Sequence, residues 1–139
     1  MKKNESVTSI MTSNPVCVEQ HESVSAARHL INEKAVHHLP VLQGDRLVGM
    51  LTSNDLLRVS FGEFGNQDGR SLDAILDHTY DLSDLMIPNP VTIDSSSTVR
   101  EAAKVLAVSE FHSLPVVDGD QLVGIVTSSD LISYLVDQY

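Results

Sequence analysis

The stretch Leu47-Val48-Gly49-Met50-Leu51-Thr52-Ser53-Asn54-Asp55-Leu56 decides the fold, because it returns 75 residues later as Leu122-Val123-Gly124-Ile125-Val126-Thr127-Ser128-Ser129-Asp130-Leu131. Working outward, Gly44-Asp45 returns as Gly119-Asp120, and Leu39-Pro40-Val41 as Leu114-Pro115-Val116. Residues 7–57 align without a gap on 82–132 and are identical at 19 of 51 positions. A unit duplicated within one chain implies two copies of one fold, packed sheet to sheet about a pseudo-twofold axis, with related chemistry in each. A copy of about fifty residues is marginal alone, so the two are expected to share a core.

Each copy reads as strand, helix, strand, strand, helix. In the second, Thr98-x-x-Glu101 is a capping-box pattern, and Val99, Ala102 and Leu106 form an apolar stripe at helical spacing over about 98–109. In the first, Ser23 is the cap and Val24, Ala27 and Ile31 the stripe. Short apolar strands follow at Leu39–Leu42 and Leu114–Val117. Gln43-Gly44-Asp45 and Asp118-Gly119-Asp120 then turn the chain back as hairpins. The returning strands are almost wholly apolar, which predicts burial of both faces. Second helices start near residues 53 and 128. Between the copies, Phe61–Arg70 with its three glycines reads as a mobile surface loop, and Ser71–Met86 as a connecting helix. The expected boundaries are 4–57 for the first repeat, 58–78 for the linker and 79–136 for the second repeat. The fold class is mixed α/β, or α+β by some schemes.

Composition narrows the function. With 42% hydrophobic residues, 4% aromatics and no Trp, the chain suits a globular protein with an aliphatic interior. A net charge of −10 argues against broad contact with a nucleic-acid backbone, though it leaves room for a small anionic ligand held by a few local donors. The apolar runs are too short to span a bilayer, and no signal peptide is visible. Cys17 is the single cysteine and forms no internal disulfide, in keeping with a reducing cytoplasm.

The order of elements, the Leu-Pro-Val strand and the Gly-x-x-Thr-x-x-Asp segment together resemble a tandem pair of CBS (cystathionine-β-synthase) domains, a Bateman module. Many spaced features occur twice in the same order, and only the linker lies outside the resemblance. The resemblance implies an adenosine-containing ligand, AMP, ADP, ATP or S-adenosylmethionine, in the cleft between the two domains. It also implies a homodimer and a regulatory role towards an unidentified partner protein. No obligatory cofactor follows from it.

Under that resemblance, Thr52 with Asp55 and Thr127 with Asp130 are the ligand-binding candidates. An ionised carboxylate can accept from both ribose hydroxyls, the Thr hydroxyl adds a partner, and a helix N-terminus favours a phosphate. Thr-x-x-Asp is equally an ordinary helix cap with an acid in the first turn, and both roles can hold at once. His37-His38 and His112-Ser113 fall where relatives reach the phosphates. There His38 and Ser113 stand at a position where Arg is common, so the permanent bidentate charge is missing. Met50, Ile125, Val16 and Val91 match positions that line the base pocket, the two valines lying in each repeat's expected first strand. Met11 and Met86 read as packing residues, and Gly49 and Gly124 as points of close backbone approach.

Signals for catalysis are poor. Asp55 and Asp130 each have their own setting, and no nucleophile or base completes a site. The six His and one Cys lack metal-ligand spacing, and no phosphate-cradling glycine loop is present. The chain is therefore expected to be no enzyme. The reading of a different class is a structural module for dimerisation or scaffolding.

Overall fold

In the structure, a computed structural model, residues 4–62 and 69–139 are described, with side chains described at 4–59 and 70–139. The first half contains a 3-10 turn (Val7–Ser9), β1 (Thr12–Ser13), β2 (Val18–Glu19), α1 (Val24–Lys34), β3 (His38–Gln43), β4 (Arg46–Thr52) and α2 (Ser53–Gly62). Then come α3 (Gly69–Thr79), α4 (Leu82–Leu85), β5 (Ile87–Pro88) and β6 (Ile93–Asp94). The chain finishes with α5 (Val99–Ala107), β7 (Ser113–Asp118), β8 (Gln121–Thr127) and α6 (Ser128–Gln138). The two copies thus carry the same β-α-β-β-α order that the repeat predicts.

The hairpins are set by their turns. Gly44 has φ 62° and Gly119 φ 65°, a left-handed backbone that glycine adopts without a Cβ clash. From there β3 pairs antiparallel with β4 from Gln43↔Arg46 to His38↔Thr52, and β7 pairs with β8 in the same register 75 residues on. The register slips by one in both, between Val41 and Leu42 and between Val116 and Val117. This bulge leaves Val48 and Val123 as the extra residues.

Val16–Asn89 forms one compact unit; the chain up to Pro15 and Pro90–Tyr139 together form another. In the first unit the strand order is β2-β3-β4-β5, with β2 parallel to β3 and the rest antiparallel. In the second it is β6-β7-β8-β1, with the same directions. Leu39, Val41 and Leu51 share one face of the first hairpin, because side chains alternate along a strand. They pack with Val24, Ala27 and Ile31 of α1, Leu72 and Leu76 of α3, and Leu82 and Leu85 of α4. The second core joins Leu114, Val116 and Val126 to Ala102 and Leu106 of α5, and to Val7 from the start of the chain.

Each repeat's leading segment therefore packs on the other repeat's hairpin. β1 pairs with β8, and β5 with β4. The bulged carbonyls are the anchors: Asn14 N donates to Val123 O at 3.4 Å, and Asn89 N to Val48 O at 3.1 Å. Both asparagines are left-handed, φ 49° and 47°, a conformation Asn tolerates better than most residues.

The region between the copies departs from the sequence reading. Helix α2 runs to Gly62 and α3 begins at Gly69, so helix replaces both ends of the expected loop; the loop's centre, 63–68, lies outside the described residues. The expected connecting helix over 71–86 is two helices. It breaks at Tyr80-Asp81 because Asp81 is the extended N-cap of α4, with Asp84 Oδ2 accepting from Asp81 N at 2.8 Å. Val16 and Val91 stand two residues before β2 and β6 rather than within a first strand. Pro15 and Pro90, immediately before them, carry no N–H for a ladder.

Candidate functional site

The apolar strands β4 and β8 deliver Thr52 and Thr127 to the mouths of α2 and α6, where each forms a reciprocal cap with an Asp. Thr52 N and Oγ1 donate to Asp55 Oδ2 at 3.0 and 2.8 Å, and Asp55 N donates to Thr52 Oγ1 at 3.2 Å. In the second copy Thr127 N donates to Asp130 Oδ2 at 2.8 Å, and Asp130 N donates to Thr127 Oγ1 at 3.2 Å. The capping role is thus realised in both copies, and it uses one carboxylate oxygen. The other oxygen of Asp55 lies 3.5 Å from Arg58 Nη2. At position 133, the counterpart of Arg58, the second copy has Ser.

Cross-strand partners share a face, so the register places His38, Pro40, Met50 and Thr52 on the side of the first hairpin opposite its core. Ser113, Pro115, Ile125 and Thr127 are arranged likewise in the second. Met50, Ile125 and Ser113 are buried, whereas His37 and His112 are exposed. The histidines' backbones help start the helices: His37 O accepts from Ser53 N at 2.9 Å and His112 O from Ser128 N at 3.0 Å. His37 Nδ1 also lies 3.4 Å from Ser53 Oγ. Val16 is half-buried and Val91 is 52% exposed. Cys17 beside Val16 is partly buried, and that burial pushes its thiol above the ordinary range.

Two cavities adjoin these residues. One, of about 460 Å³, brings His37 and Ser53 together with Arg28, Asn32, Leu56 and Leu72. The other, of about 340 Å³, has Asp130 in its wall with Glu5, Ser9, Ser133, Tyr134 and Asp137. Arg28, Glu5, Ser9 and Tyr134 match no motif: Arg28, Glu5 and Ser9 come from elements remote in sequence from Ser53 and Asp130, whereas Tyr134 stands one helical turn after Asp130 on α6. Among the described residues no cluster of His, Cys, Asp or Glu could hold a metal ion, and no helix is long and apolar enough to cross a membrane.

The CBS domain family model matches at residues 7–62 and again at 82–137. The chain belongs to the CBS domain family, as a tandem pair. A CBS domain-containing protein of Dictyostelium discoideum is 33% identical over 135 residues, 94% of this chain and 90% of that one. The chain spans a third or less of the length of three other curated relatives. Among solved structures, CBSX2 in complex with AMP is 28% identical with a TM-score of 0.79, covering 96% of this chain and 97% of that one. A CBS domain pair in complex with 5-methylthioadenosine and S-adenosylmethionine is 26% identical with a TM-score of 0.73, covering 94% and 98%. Adenosine compounds are thus what these similar pairs hold.

Proposed function

We propose that this chain is a regulatory module that binds an adenine nucleotide or another adenosine compound and conveys its occupancy to a partner protein, without catalysing a reaction. The observation that carries this reading is the similar pair solved with AMP, taken with the intact Thr–Asp arrangement in both copies here. Thr52, Asp55, Thr127 and Asp130 hold the ribose; His37, His38, His112 and Ser113 face the phosphate end; Met50, Ile125, Val16 and Val91 contact the base. A ligand moves such a module only by binding one of its states better than another. The module acts in the cytoplasm as a homodimer, and Leu57 and Ile132, equivalent residues that are 49% and 61% exposed, supply apolar surface for that contact.

A thermal-shift series with AMP, ADP, ATP, S-adenosylmethionine and adenosine tests the reading. A ligand at a hundred times its dissociation constant adds about 2.7 kcal/mol of stability. Asp55→Ala and Asp130→Ala should each weaken binding roughly ten- to hundredfold, the loss of a charged hydrogen-bond partner. No shift with any of the five compounds would leave the scaffold reading, which the completed caps support: each engages one oxygen of its Asp without a ligand.

A further inference from the structure

We infer that the helical face of the second copy, formed by α5 and α6, docks an acidic amphipathic helix of the regulated partner, as α3 lies on the first copy. The inference rests on the proposed regulatory role and describes its partner. Along α6, Ile132, Leu135, Val136 and Tyr139 recur at i, i+3, i+4 and i+7, and all four are exposed. Ser133, Tyr134 and Asp137 of the same helix line the cavity beside Glu5, so the stripe looks the other way. A continuous apolar stripe left open on a helix marks an interaction surface.

The first copy shows what such a face takes. There α3 buries Leu72 and Leu76, while Asp73 and Asp77, one residue on from each, reach Arg28, His29 and Ser25 of α1. Leu57 of α2 lines the same cavity as Leu72. In the second copy the equivalent positions hold Arg100 for Ser25, Ala103 for Arg28, Lys104 for His29 and Ile132 for Leu57. Two cations and an apolar edge are thus kept, with no counterpart of α3 over them among the described residues. Arg100 and Lys104 are exposed and enter no ion pair among the described residues. Glu101, the acid of α5, is turned to its cap at Thr98. Unpaired cations beside an apolar stripe complement a helix that carries Leu and Asp in the spacing of Leu72-Asp73 and Leu76-Asp77. Ile132 also belongs to the proposed homodimer contact, so the partner helix and a second copy compete for this face.

The probe is a fluorescent peptide with the α3 sequence, Gly69–Thr79. A staple across the exposed positions Ala74 and His78 holds it helical, because an isolated helix of 11 residues is marginal. Anisotropy titration with the full chain should show binding. Arg100→Glu with Lys104→Glu, and separately Ile132→Asp, should each weaken it about tenfold, the charge effect fading at high salt. A probe carrying Asp73→Lys and Asp77→Lys should bind the unaltered chain poorly and regain about tenfold on the Arg100→Glu, Lys104→Glu chain. The three substituted positions of the full chain are exposed, and circular dichroism checks that the fold is kept. Sedimentation should show the saturating probe raising the monomer fraction. Absence of probe binding, or binding unmoved by the charge exchange, overturns the inference. So does a dimer that Ile132→Asp dissociates and the probe does not, since a second copy then holds this face. These titrations contain no adenosine compound, so failure of the five compounds to bind strikes the sensing role and leaves the docking face to its own result.

Discussion

The thioether of Met86 fills the space that a side chain on Gly49 would need, and Met11 stands in the same relation to Gly124. Each methionine sits in a leading segment laid across the other repeat's hairpin, so the glycines are steric requirements of that crossing. Gly49→Ala and Gly124→Ala should each cost about 1–3 kcal/mol in urea unfolding, the usual range for overpacking. Combining Gly49→Ala with Met86→Ala should cost less than the sum of the singles by about 1 kcal/mol, since the clash disappears with the thioether. Strict additivity would show that the contact is not the cause.

Asp73 holds α3 against α1. Its carboxylate accepts from Arg28 Nη1 at 2.8 Å and lies 2.7 Å from His29 Nε2, and Asp77 takes Ser25 N and Oγ at 2.8 and 2.5 Å. Arg28 and Asp73 are about one-quarter exposed, 22% and 24%, so Asp73→Ala should cost about 1 kcal/mol rather than several. Hydrogen exchange should quicken in α3 and leave α6 unchanged. Equal acceleration in both would contradict a local clasp.

Ala35 ends α1 in the left-handed conformation, φ 52°, where a Cβ is strained. Ala35→Gly should raise stability by about 0.5–1 kcal/mol, the relief of that strain less the added freedom of the unfolded chain. Thermal unfolding of the two chains side by side measures it.

The Cys17 thiol is pushed up by burial, so its thiolate is scarcer in the folded protein than in the unfolded one. Alkylation by iodoacetamide at pH 8 should be slower in buffer than in urea. A raised value means the thiol's contribution is fully present below the ordinary thiol range and lost as pH climbs through it, so stability should decline on the alkaline side. Equal alkylation rates would refute the shift.

What the sequence made legible was local. The Gly44 and Gly119 turns, the Ser23 and Thr98 caps and the α1 and α5 stripes are each written within a few neighbouring residues, and all stand where their spacing puts them. The break at Asp81 was hidden because Leu82 and Leu85 continue the apolar spacing of α3, and because an Asp at the third position is a weaker capping signal than Glu. The leading segments were misleading for a different reason. Aligning a chain on itself matches each residue to its equivalent, never to its partner, so Met86 appeared as the equivalent of Met11 and its place over Gly49 stayed unseen. The candidate site divides the same way: Thr52, Asp55, Thr127 and Asp130 lie in one short motif, while Arg28 and Glu5 reach their cavities only through tertiary packing, and Tyr134, one turn beyond Asp130 on α6, belongs to no motif.

The crossing of the leading segments also bears on descent by duplication. A half-length chain carrying one repeat would leave its own hairpin uncovered and its leading segment without a hairpin to cover. Its bulged carbonyl would lack the asparagine that answers it here, and its hairpin glycine would face no methionine. Such a chain could satisfy both needs only by trading segments with a second molecule. Joining two genes end to end turns that trade into an internal one, and folding no longer waits on the concentration of a partner.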